Sequence, residues 1–178
     1  MTFWQKLKGR TQSPPRVGGW EIFWSWLASF LGLAAVGILH FKYLDPQGMM
    51  FVIGSFGASA VLIYGAIRSP LAQPRNLIGG HILSALVGVT AFRLFGQEPW
   101  LAGALAVSTA IALMHLTSTL HPPGGATALI AVIGGDSVHN LGYGYVWMPT
   151  ALGAFVMLLV ALIINNLPKN RRYPEFWW

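Results

Sequence analysis

No cysteine occurs among the 178 residues, and only 9% of them are Asp, Glu, Lys or Arg. The first absence excludes disulfides, thiolate metal sites and a cysteine nucleophile, and it leaves the redox compartment open. The second falls far below the roughly 25% charged residues of soluble domains, so the chain has little polar surface to turn toward water. Carboxylates are scarce, and none sits deep in an apolar run, so neither a metal site nor paired acid–base chemistry has its donors. Gly-x-Ser-x-Gly, P-loop and His-Glu-x-x-His patterns are missing too. The nearest approach to a nucleophile beside a base is Ser118 or Thr119 next to His121. The expectation is a protein that is not an enzyme and carries neither cofactor nor metal.

What is present is apolar and aromatic: 54% hydrophobic residues, with 8 Trp and 10 Phe. Five runs approach the ~20 residues that a spanning helix needs, at about 20–39, 49–67, 77–92, 101–116 and 146–167. A sixth, 124–135, is apolar but at ~1.5 Å per residue covers only ~18 Å of a ~30 Å hydrocarbon core. The composition predicts an all-α, polytopic membrane protein with a single transmembrane domain over 20–167. A basic segment 1–19 precedes it and a basic, aromatic tail 168–178 follows. Met1 to Gly19 is polar and contains Pro14-Pro15, so no cleaved leader is expected. The net charge of +6 comes mostly from clusters flanking apolar runs, where membrane topology accounts for it better than nucleic-acid binding.

Charge bias also counts the crossings. If 124–135 crosses, with His121-Pro122-Pro123 extended before it, there are six crossings and both termini are cytoplasmic. Lys6, Lys8, Arg10, Arg16, Arg68, Arg75, Lys169, Arg171 and Arg172 then share the cytoplasmic side, against Lys42 and Arg93 outside. If it does not cross, the asymmetry nearly vanishes. A repeat points the same way: Gly57-Ala58-Ser59-Ala60 and Gly125-Ala126-Thr127-Ala128 share an offset of 68 residues. Each lies in the middle of a triplet, 20–95 and 100–167. A three-crossing unit used twice must be inverted in the membrane. Inverted repeats with short or broken middle helices mark transporters and channels, whose sites lie where the breaks meet.

The two breaks supply the candidate residues. His121-Pro122-Pro123-Gly124-Gly125 interrupts the longest apolar stretch, and irregular backbone at membrane depth persists only where it is buried in protein or lines a wet cavity. With Thr127 it opens one short helix, while Ser55, Gly57 and Ser59 open the other. Inverted symmetry aims two helix starts at each other, each with partial positive charge and free amides, which suits a small anion. The competing reading is that these small residues only allow close packing. His81 and His115 join His121 as ionisable groups in apolar surroundings, functional candidates by default. Gln73, Arg75 and Asn76 form a donor-rich connection before the third run, where Arg75 either draws anions to a pore mouth or binds headgroups and helix carbonyls.

Three motifs in order, Gly54-Ser55-Phe56-Gly57-Ala58-Ser59-Ala60, Pro70-Leu71-Ala72-Gln73-Pro74-Arg75-Asn76 with Gly79-Gly80-His81, and His121-Pro122-Pro123-Gly124-Gly125-Ala126-Thr127-Ala128, resemble the HPP family of integral membrane proteins. The resemblance covers about residues 20–167. It implies a small-anion permease, since chloroplast and cyanobacterial members are associated with nitrite transport. That places the chain in a bacterial inner membrane or an organelle envelope. The family is usually described with four membrane helices, whereas the charge count gives six crossings. The expected partners are therefore a small inorganic anion, nitrite first, the lipid bilayer, and a second copy docking on small-residue faces such as Gly32 or Gly79-Gly80. Rival expectations are a neutral-solute channel and a non-transporting structural or sensory protein.

Overall fold

The computed structural model describes residues 2–7, 11–44 and 53–178. Lys8, Arg10, Asp45 and the start of the 49–67 run fall outside the described residues. Every regular element among those described is helical: α1 (Phe3–Lys6), α2 (Gly19–Ile38), α3 (Ser55–Ala60), α4 (Pro74–Phe95), α5 (Pro99–Leu116), α6 (Pro122–Ile133), α7 (Asp136–His139) and α8 (Leu152–Ile164). Wider π-type turns extend α2 to Leu44 and α3 to Gly65, and a turn over Val146–Ala151 leads into α8. Four helical stretches are long and apolar enough to cross a membrane: Gly19–Leu44, Pro74–Phe95, Pro99–Leu116 and Val146–Ile164. Ser55–Gly65 and Pro122–Ile133 are shorter apolar helices. Within the 49–67 run the described helix, Ser55–Gly65, covers 11 residues, ~16 Å, and is the short middle helix expected there.

Proline sets several helix starts. Pro74, Pro99 and Pro122 stand in the first turn, where a missing N–H costs nothing and the fixed φ favours the helix. Apolar content alone places the third and fourth runs two or three residues late for this reason.

Helix α4 is the hub, packed on α5, α6 and α8, while α2 lies against α8 and the turn after α3. Only Ala28, Gly32 and Val36 of α2 are buried, a stripe at four-residue spacing. Trp20, Phe23, Trp26 and Phe30 stay exposed on its other faces, as expected of a helix that meets lipid. Gly32 is required on that stripe because Tyr64 lies where a β-carbon would sit. The Tyr64 hydroxyl donates to the Met157 carbonyl at 3.0 Å, tying the α3 extension to α8.

The chain after α8 folds back across one end of the bundle. Asn165 donates to the Ile63 carbonyl at 2.9 Å, Arg171 to the Tyr64 carbonyl at 2.8 Å, and the Tyr173 hydroxyl to the Ala72 carbonyl at 2.7 Å. Arg171 also pairs with Glu21 at 3.7 Å, so the start of α2 and the segment after α8 lie at the same end of the molecule. Burial pulls the Arg171 guanidinium pKa below its ordinary value, and Glu21 pushes it back up.

Candidate functional site

Helix α6 starts beside Gly80, six residues into α4, or about 9 Å from the start of that helix. A β-carbon on Gly80 would meet His121 Cβ at 2.6 Å and the Thr119 carbonyl at 2.9 Å, and one on Gly124 would meet Ser84 Oγ at 2.6 Å. These two glycines let the broken segment press against α4. The break therefore sits inside the bundle, and its polar groups must find protein partners there.

They find one another. Ser59 Oγ lies 2.7 Å from His81 Nε2 and 2.9 Å from His121 Nε2. His81 Nδ1 is 2.7 Å from Thr127 Oγ1, and the Thr127 hydroxyl points at Ser55 Oγ at 2.8 Å and, more distantly, at the Pro123 carbonyl at 3.3 Å. His121 Nδ1 faces the Leu71 carbonyl at 2.9 Å. Ser55, Ser59, His81, His121 and Thr127 are all completely buried. Three helices and one loop thus contribute to a single hydrogen-bonded chain, flanked by the edge of Phe56 against His81, with ring centroids 5.7 Å apart.

The helix starts are not arranged tip to tip. Ser55 of α3 meets Thr127 of α6, and Ser59 meets His121, so the two run antiparallel and overlap by about one turn. Free backbone amides are also fewer than the sequence suggests. Pro122 and Pro123 have none, the Gly124 amide bonds to the His121 carbonyl at 2.8 Å, and the Phe56 and Gly57 amides bond to the Ile53 and Gly54 carbonyls. Side-chain hydroxyls and imidazoles, not backbone dipoles, are the polar surface of this site.

Several expected residues lie elsewhere. Gly57 is exposed, with nothing within 4 Å of a β-carbon built on it. Gly125 turns toward Val107 of α5, and Pro122 and His115 are exposed. Gln73 is a buried clamp: it donates to the Ile67 and Ser69 carbonyls at 3.0 and 2.8 Å, and its oxygen accepts the Glu175 amide at 2.8 Å. Asn76 donates to the Leu120 carbonyl at 2.8 Å, holding the break against α4. The Arg75 guanidinium lies 5.7 Å from the centre of the Phe176 ring, in a groove shared with Trp177 and Trp178. Arg75 thus lies against the tail, and other basic residues, Arg68, Lys169, Arg171 and Arg172, line with Asn170 and Glu175 an open cavity of about 640 Å³.

Sequence reasoning missed two members of the site. The Tyr145 hydroxyl donates to the Thr127 carbonyl at 3.1 Å, and the Leu71 carbonyl takes His121. Tyr145 precedes a span without any motif to mark it, and a backbone carbonyl has no sequence signal. Among the described residues no group of three or more His, Asp or Glu side chains is placed to hold a metal ion.

A transmembrane protein of Dictyostelium discoideum is 49% identical over 99% of this chain, and a second from the same organism is 47% identical over 96%. The match covers 57% of the length of the first and 60% of the second, so this chain spans little more than half of each. No solved structure matches. The profile of the HPP transmembrane region matches residues 14–174, including all three motifs and the buried histidine pair, and the chain belongs to the HPP family of membrane proteins.

Proposed function

We propose that this protein carries a small monovalent anion across a membrane, with nitrite the first candidate, through the polar cluster between α3, α4 and α6. The observation that carries the reading is the buried chain of Ser59, His81, His121 and Thr127 at the helix break. Polar and ionisable groups at such depth are expensive, and in membrane proteins they mark solute or proton pathways. An anion entering there loses its hydration shell, and the Ser and Thr hydroxyls and imidazole N–H groups replace it. With every cluster side chain closed to solvent, passage requires α3 and α6 to part, the movement expected of broken helices from two halves that rock about a shared site.

The inverted duplication of 20–95 and 100–167 belongs to this proposal, supported by the antiparallel pairing of Ser55 with Thr127 and Ser59 with His121. So does the orientation: the basic cavity of Arg68, Lys169 and Arg172 is assigned to the cytoplasmic face, where positive charge accumulates. One observation favours a structural reading instead, namely that the cluster's side chains already bond directly to each other. Vesicles containing the purified protein and challenged with nitrite, nitrate, formate and chloride separate the two. Saturable entry of nitrite above that of protein-free vesicles supports transport. Equal, protein-independent leakage of all four anions removes it, and entry of neutral solutes alone replaces it with a channel of another kind.

A further inference from the structure

With Thr127 donating to Ser55 Oγ, the hydrogen-bonded chain is one proton short. In that arrangement Thr127 offers His81 only a lone pair, and His81 Nδ1 donates to it. At the other end the Leu71 carbonyl can only accept, so His121 Nδ1 must also donate. With both imidazoles neutral, each Nε2 is then a bare acceptor, and both face Ser59 Oγ, which has a single hydrogen. One of the two contacts, at 2.7 or 2.9 Å, sets lone pair against lone pair. A single added proton on either Nε2 completes every contact in the chain.

The added proton has two equivalent seats. If His81 holds it, Ser59 accepts from His81 Nε2 and donates to His121 Nε2. When Ser59 passes its hydrogen to His121 and takes the one from His81, the charge has moved to His121, with no bond other than O–H and N–H made or broken. Ser59 is thus a relay between two imidazoles.

What the cluster lacks is a counter-charge. His81 is the only titratable group that α4 turns into it, α3 contributes none, and α6 adds only His121 at its start. Tyr145, from the segment before α8, donates its hydroxyl to the Thr127 carbonyl. The loop before α4 presents neutral Leu71 and Gln73, with Arg68 exposed. The described carboxylates Glu21, Glu98, Asp136 and Glu175 are all exposed or half-exposed. A lone buried cation is costly, so the proton that completes the hydrogen bonds requires an anion beside it, and the anion in turn favours the proton.

We infer that the His81–Ser59–His121 relay takes up one proton together with each anion, making this protein an electroneutral proton–anion symporter. This rests on the anion-transport reading above. The test uses vesicles containing the full chain, an internal pH dye, and a potassium–valinomycin clamp of the membrane potential. The expected result is that an inward nitrite gradient acidifies the interior by one proton per nitrite, beyond the background of protein-free vesicles, at a rate independent of the clamped potential. In Ser59→Ala the protein-dependent acidification is lost. Nitrite entry that follows the clamped potential without acidification overturns the symport while leaving anion transport standing. Absence of any protein-dependent nitrite entry overturns both. Should Ser59→Ala not fold, His81→Gln serves in its place, and ¹⁵N-histidine spectra of the wild type in bilayers give a second readout. Nitrite should there convert one imidazole of the pair to the doubly protonated form. A pair that stays neutral at saturating nitrite contradicts the inference.

Discussion

Thr127 ties the site together: its hydroxyl meets His81 and Ser55, and its carbonyl accepts from Tyr145. Thr127→Val keeps the shape and leaves His81 Nδ1 and Ser55 without a partner. The expected cost is about 1–3 kcal/mol, the penalty for stranding buried polar groups, seen as a lower midpoint of thermal unfolding in detergent with helix content retained. An unchanged midpoint would remove Thr127 from the network. The glycines divide more sharply. Gly80→Ala drives a methyl to 2.6 Å from His121 Cβ and should destabilise by about 1–3 kcal/mol, as overpacking does. Gly57→Ala meets nothing within 4 Å and should stay within about 0.5 kcal/mol of wild type. The reverse order would contradict the placement of α6 against α4.

Among the elements, the segment after α8 works as a strap. Arg171 donates to the Tyr64 carbonyl and to Asn165 Oδ1 at 3.1 Å, and the Glu175 amide reaches Gln73. Arg171→Gln removes the charge that holds Glu21, and is expected to speed hydrogen exchange across 166–178 and to lower stability by about 1–3 kcal/mol. Exchange at the wild-type rate would show that the strap is held by other contacts. Helix existence was legible in the sequence because long apolar runs leave few alternatives: 77–92, 101–116 and 146–167 correspond to α4, α5 and the Val146–Ile164 stretch. The boundaries were less so, since Pro74 and Pro99 begin helices that hydropathy alone starts at the next apolar residue. The 49–67 run shows the limit: its composition matches a span, while among its described residues the helix covers Ser55–Gly65.

For the whole molecule, the sequence carried the identity of the polar groups but not their pairing. His81, His121, Ser59 and Thr127 stand out one by one as polar residues in apolar surroundings, yet their convergence depends on how far α3 and α6 overlap, which side-chain contact decides. Arg75 shows the converse. Its position at the start of α4 reads as a pore mouth, and only the fold of the tail reveals that it lies beside Phe176 in a groove shared with Trp177 and Trp178. The molecule that emerges has an open cavity lined by basic residues at one end and a buried histidine pair, His81 about 10 Å from the start of α4 and His121 at the start of α6. The proposed transport step lies at the break, so the most direct measurement is nitrite entry into vesicles containing wild type or His121→Ala at matched protein content. The account predicts saturable entry by the wild type and a loss of at least about tenfold, or 1.4 kcal/mol of barrier, in a variant that remains folded. Equal entry by the two proteins would contradict it.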